Sequence, residues 1–205
     1  MPFLVKGPGI KPGSVSSDIV SNVDFAPTWL DYAGLRIPSY MQGDSFKVSL
    51  LGARKEPQSE DAVAYHRYWM HREATHNSYV RSPEQFVVTD TLTTQQAHYG
   101  IRTKRYKLIF WYNQGFGLEG TQLGGEEQEW ELFDCDEDPM ELFNIWPSNE
   151  SNVKPIREHM VRLLEDKMFE IGDFPAHPTG LNAEQLRAAY APGMGIAARA
   201  EQHNM

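Results

Sequence analysis

One run of residues constrains the fold of this chain more than any other. Across residues 152–171, Val153, Ile156, Met160, Leu164, Met168 and Ile171 recur at helical spacing, and Gly172 follows as a stop. A helix with one apolar stripe needs an apolar surface to lie on, because most helical stability comes from packing that stripe. The sequence before it supplies a candidate. Aromatic and β-branched residues dominate 62–70, 97–103, 106–112 and 129–134, which read as four strands. Strands in succession followed by a helix argue an α+β arrangement, an antiparallel four-stranded sheet with the long helix packed on one face. Lys104-Arg105 lies between the second and third runs and makes a tight hairpin plausible, although neither residue favours a primed turn.

The first sixty residues have a different texture. Phe3, Leu4 and Val5 read as a short strand closed by Gly7-Pro8-Gly9, with no neighbour in sequence to pair with. Residues 10–17 carry Pro12, Gly13 and three serines and read as a loop. Ser21 or Asn22 can cap a helix in which Phe25, Trp29, Leu30 and Ala33 share a face, with Asp24 in the first turn and Gly34 as the stop. A shorter helix follows, capped by Asp44 or Ser45 and ended by Gly52. Asp138-Pro139 opens a further short helical turn. Residues 115–125 are glycine-rich and read as a connection, and the chain after Pro175 turns polar and alanine-rich, as a loosely held tail does. The amino end lacks the basic and apolar regions of a signal peptide.

Composition narrows the function. The chain has 205 residues, enough to bury roughly 70% of its unfolded surface without a disulfide or metal staple. Asp and Glu number 28 against 19 Lys and Arg, a formal charge of −9 that argues against a general nucleic-acid binder. No run of about 18 apolar residues marks a membrane span. Cys135 is the one cysteine, so an internal disulfide and a multi-cysteine zinc site are both excluded.

Four histidines lie close in sequence: His66, His71, His76 and His98. A spacing of five is not that of paired metal ligands on a helix, and on a strand His66 and His71 point to opposite faces. A metal site is the minor reading. The stronger functional reading is an edge where His, Arg and aromatic side chains meet a polar, anionic substrate, with Arg67, Arg72 and Arg102 able to fork onto sulfate, phosphate or carboxylate. The competing reading has the same residues merely solvating the rim of the sheet. No nucleophile elbow, P-loop or dinucleotide fingerprint is present. Acidic neighbours raise the pKa of Cys135, which makes it a poor nucleophile. Asp134, Asp136, Glu137 and Asp138 lack the glycine and trailing glutamate of a calcium loop, and read as an acidic turn. Phe110-Trp111-Tyr112 with Trp130 is either core or a sugar platform, core being the stronger prior.

Several ordered phrases carry a family resemblance. Pro2-Phe3-Leu4-Val5-Lys6-Gly7-Pro8-Gly9, Val23-Asp24-Phe25-Ala26-Pro27-Thr28-Trp29-Leu30-Asp31-Tyr32-Ala33-Gly34, and Pro38 with Met41-Gln42-Gly43-Asp44-Ser45-Phe46 resemble the segment that closes the catalytic domain of type I sulfatases. Tyr99-Gly100-Ile101-Arg102-Thr103-Lys104-Arg105-Tyr106-Lys107-Leu108-Ile109, Glu131-Leu132-Phe133-Asp134 and Asp138-Pro139-Met140-Glu141-Leu142-Phe143-Asn144 are similar to the carboxy-terminal subdomain of the same enzymes. Tyr68-Trp69-Met70-His71 with His98-Tyr99-Gly100 resembles the glycan-directed members, including those acting on N-acetylglucosamine or related uronic-acid polymers. The likeness covers about residues 2–172. It implies three parts: residues 1–55 as the end of the catalytic domain, 56–175 as the carboxy-terminal subdomain, and 176–205 as the tail.

The resemblance also implies what lies elsewhere. Family catalysis uses a formylglycine made from a cysteine in Cys-x-Pro/Ala-x-Arg, with a calcium ion, Lys and His stabilising the sulfate charge. Cys135 sits in no such motif, so no catalytic or metal-binding residue is assigned here, and calcium and formylglycine are expected only in a full-length parent. That parent acts in the periplasm, outside the cell or in lysosomes. What the resemblance implies for this chain is contact with a sulfated carbohydrate, through His71, His76 and His98, with Arg102 structural, and union with an amino-terminal catalytic portion. The alternatives are a standalone, non-catalytic module binding a glycan or a partner, and a phosphoesterase of the same superfamily. Whether the face carrying Phe25, Trp29, Leu30 and Leu51 stays exposed discriminates the first two.

Overall fold

The structure is a computed structural model, and it describes residues 3–68, 97–112 and 128–173 together with 175, 177 and 179. The four β-rich runs form the expected antiparallel sheet, in which strands β1 (Ala64–Tyr68), β2 (His98–Arg102), β3 (Tyr106–Trp111) and β4 (Glu129–Asp134) pair in chain order. The alternation of each strand sorts its residues to two faces. Two rows, Tyr65–Ile101–Leu108–Leu132 and Arg67–Tyr99–Phe110–Trp130, run across the sheet on one side. Three rows lie on the other: Ala64–Arg102–Lys107–Phe133, His66–Gly100–Ile109–Glu131, and Tyr68–His98–Trp111–Glu129.

The long helix covers the first face. It is α3 (Val153–Ile171), and the 3-10 turn η1 (Asn22–Asp24), α1 (Phe25–Tyr32) and α2 (Lys47–Leu50) precede it in the chain. Val153, Met160, Leu164 and Met168 are buried on α3, and the last three join Tyr99, Ile101, Leu108, Phe110, Tyr112 and Leu132 in one core. Full burial of each large apolar side chain stabilises the fold by about 1.5–3 kcal/mol. Gly172 ends α3 in the left-handed region at φ 73°, where the Asp173 N–H bonds back to the Met168 carbonyl at 2.9 Å.

The β2–β3 hairpin turns on Lys104 and Arg105 without positive φ at either residue. Thr103 makes this possible: its N–H donates to the Tyr106 carbonyl at 2.8 Å, and its hydroxyl accepts the Tyr106 N–H at 2.9 Å. The free edge of β4 is closed by a following loop. Asn144 donates to the Trp130 carbonyl and accepts from Leu132 N–H, and Ile145 N–H donates to the Leu132 carbonyl. Paired in this way, the edge offers little to another strand.

Three local expectations need correction. Phe3, Leu4 and Val5 form no strand; Phe3 stacks instead on Phe25, ring centroids 5.1 Å apart, and meets Phe46 edge-on. With no described backbone partner to complete a ladder, aromatic packing places that segment. Residues 138–140 form a turn rather than a helical turn, because Asp138 spends its carboxylate on the Phe143 N–H and Glu141 adopts φ 55°. In α1 the buried residues are Pro27 and Thr28, whereas Trp29 and Ala33 are exposed. The reason is Thr28, whose hydroxyl donates to the Asp24 carbonyl and accepts the Phe46 N–H, pulling its own side of the helix against the α2 segment.

Candidate functional site

The site is built at one end of the sheet. β1 stops at Tyr68 and β3 at Trp111, and the connections that leave there, 69–96 and 113–127, return at His98 and Glu129. Tyr68, His98, Trp111 and Glu129 are therefore one registered row from which both long connections depart.

The row is aromatic and imidazole-rich. The His98 ring lies 4.3 Å from that of Trp111, stacks on Tyr68 at 5.7 Å, and meets His66 of the next row edge-on at 5.5 Å. The Trp111 indole N–H donates to Glu131 Oε2 at 2.9 Å, which fixes its ring plane. Space for the His66 ring comes from Gly100 beside it: a Cβ there would sit 2.8 Å from His66 Cε1 and 2.2 Å from the Leu108 carbonyl oxygen. Burial first, then His98 and Lys107 nearby, push the His66 pKa down to about 4, so its imidazole is neutral at physiological pH. Lys107 itself is engaged by Glu141. A neutral imidazole, hydroxyl and carboxylate groups and flat rings together suit hydrogen bonding and stacking with a polar ring.

Of the residues named from sequence, His98 belongs to this row, while His71 and His76 lie outside the described residues, as does Arg72. Arg67 does not face an outside anion. It is buried on the helix side, paired with Asp173, with the rings of Tyr99 and Tyr112 at 5.2 and 5.1 Å. Arg102 donates to the Arg105 carbonyl at 3.2 Å. The acidic turn after β4 is organised by Arg105, which forks onto both oxygens of Asp134 and holds that carboxyl below the usual range. Burial, with Glu141 adding to it, raises the Cys135 thiol above its ordinary pKa. Among the described residues no three His, Cys, Asp or Glu side chains converge as metal ligands, so the donor set described does not fit the calcium ion of the sulfatase resemblance.

The aromatic run divides by strand parity: Phe110 and Tyr112 are core, and Trp111 points to the opposite face, half-buried. His177 went unmarked in sequence. It is buried against Tyr99, Phe110 and Trp130, with Nδ1 at 2.6 Å from the Tyr99 hydroxyl and Nε2 at 3.2 Å from Glu165. No periodicity around residue 177 signals this, since its partners are far away in the chain.

Comparison with known proteins gives a consistent answer. The family model described as N-sulphoglucosamine sulphohydrolase, C-terminal, matches residues 1–170. An N-acetylglucosamine-6-O-sulfatase from Bacteroides thetaiotaomicron is 35% identical over 174 residues, which are 84% of this chain and 25% of that protein. A solved protein in complex with its substrate D-glucosamine-2-N,6-O-disulfate is similar at a TM-score of 0.50 and 32% identity, over 72% of this chain and 23% of the other. A 2-O glycosaminoglycan sulfatase shares the fold at a TM-score of 0.52 and 24% identity, over 82% of this chain and 29% of its own. The chain thus spans about a quarter of the length of these relatives. With the match running from the first residue through all four strands and into the last turn of α3, the chain belongs to the N-sulphoglucosamine sulphohydrolase C-terminal family, the carboxy-terminal domain of glycan sulfatases.

Proposed function

We propose that the chain is the carboxy-terminal part of a sulfatase that hydrolyses sulfate esters on glycans, and that it supplies sugar contacts beside the reaction centre while an amino-terminal portion supplies nucleophile and metal. The observation that carries this reading is the number of exposed apolar side chains on the segment resembling the end of the catalytic domain. Of the face named from sequence Trp29 is 50% exposed, whereas Phe25, Leu30 and Leu51 are half-buried; Val23, Leu35 and Val48 are exposed on the same segment. Exposed apolar side chains gathered on one segment point to a surface that a partner covers, and a standalone module would have repacked or lost them. His98 is the described sugar contact in this reading, with His71 and His76 on the connection that starts beside it.

Two experiments test it. The genomic sequence upstream of the Met1 codon should continue in frame and encode Cys-x-Pro/Ala-x-Arg. The isolated chain should not turn over N-acetylglucosamine 6-sulfate; turnover by the chain alone would overturn the division of labour.

A further inference from the structure

Trp111 is placed unlike the other ring residues of its strand. Its neighbours Phe110 and Tyr112 are buried under α3, but β-strand alternation turns Trp111 to the far face, at the end of the sheet. Its indole nitrogen is already satisfied by Glu131, so the ring plane is set before any ligand arrives. Beside the ring stand Glu129, its exposed cross-strand partner, and His98 at 4.3 Å, which in turn meets His66.

We propose that Trp111 is the floor of a pyranose subsite, held in plane by Glu131 as a positioning residue and edged by the hydrogen-bonding groups of Glu129 and His98. A pyranose has one face of C–H groups, which suits an indole, and a rim of hydroxyls, which suits carboxylate acceptors and an imidazole. The carboxylates of Glu129 and Glu131 repel sulfate. The sugar seated here therefore presents hydroxyls to the site and carries its sulfate group away from Trp111, or belongs to the residue next to the sulfated one. This deepens the sulfatase reading and rests on it.

The test uses the full 205-residue chain, labelled with nitrogen-15, and reads the indole N–H resonances of its five tryptophans. Trp111→Phe assigns the Trp111 signal. Added N-acetylglucosamine and N-acetylglucosamine 6-sulfate should both shift that signal saturably, with similar affinity, and leave Trp130 and Trp146 in place. Glu131→Gln keeps an acceptor and should keep the response. Glu131→Ala should weaken it about fivefold, the loss expected for one hydrogen bond. A still Trp111 signal with either sugar overturns the subsite, and so does a response that depends on the sulfate. The parent reading is tested separately, in an assembled sulfatase. There, activity that needs this chain but has a KM untouched by Trp111→Phe sinks the subsite alone. Activity indifferent to the chain sinks the sulfatase reading, while the tryptophan response reports on the sugar directly.

Discussion

The guanidinium of Arg67, the penultimate residue of β1, is closed on the carboxylate of Asp173, the residue that follows the glycine stop of α3. Tyr65 donates its hydroxyl to the other oxygen of the same carboxylate at 2.5 Å. This contact ties the edge strand of the sheet to the far end of the helix, and both side chains are largely shielded from water. Removing one partner leaves a shielded charge uncompensated, which costs about 3–5 kcal/mol. Asp173→Ala should therefore lower stability by that amount in urea denaturation. Combining it with Arg67→Met should recover part of the loss, because the stranded charge is then gone.

Gly100 is fixed by close approach rather than by its backbone angles. Any Cβ would press on the Leu108 carbonyl of the neighbouring strand and on the His66 ring. Gly100→Ala should destabilise the domain by about 1–3 kcal/mol, the usual cost of overpacking. It should also displace the His66 ring. A melting curve gives the first effect, and a change in the His66 imidazole chemical shifts gives the second. A variant as stable as the parent would show that the strands can part without penalty.

His66 makes stability depend on pH in a definite direction. Its pKa falls from 6.5 in the unfolded chain to about 4 in the fold, because burial and the neighbouring His98 and Lys107 disfavour the charged ring. The unfolded state thus binds the extra proton between those values. The contribution is fully present above about pH 6.5 and is lost as pH falls toward 4. Allowing for partial solvent access, it amounts to about 2 kcal/mol. The stability difference between pH 7.5 and pH 4.5 should shrink by about that much in His66→Gln.

The uncovered apolar residues supply a prediction of the opposite kind. Met140, Leu142 and Phe143 are exposed by 76%, 69% and 70%, on a turn pinned by the Lys107–Glu141 ion pair and by the left-handed Glu141. Trp29 adds a second site on α1. Polar replacements such as Trp29→Gln and Phe143→Ser should change the stability of the isolated chain by less than about 0.5 kcal/mol, as surface substitutions do. They should raise its solubility and weaken its association with an amino-terminal sulfatase portion. A large loss of stability would mean that these side chains serve this chain's own core.

Four antiparallel strands and the helix that covers them were legible from residue pattern alone; their order came from the fold. The stripe from Val153 to Met168 has the period of a helix, the runs around Tyr99 and Phe110 have the composition of strands, and both signals are local. The parity that separates Trp111 from Phe110 and Tyr112 was legible too, once the run is a strand, but which parity meets α3 was not. Tertiary structure alone decided how the charged and imidazole groups are spent. Arg67 reads in sequence as a residue for an outside anion, and the fold gives it Asp173, 106 residues away. His177 reads as a polar tail residue, and the fold seats it between Tyr99 and Glu165. Local periodicity reports on which face of an element is apolar, because that repeats every two or 3.6 residues. A single polar contact made by closing the chain on itself leaves no repeat, so it exists only once sheet register and helix position have brought its two ends together.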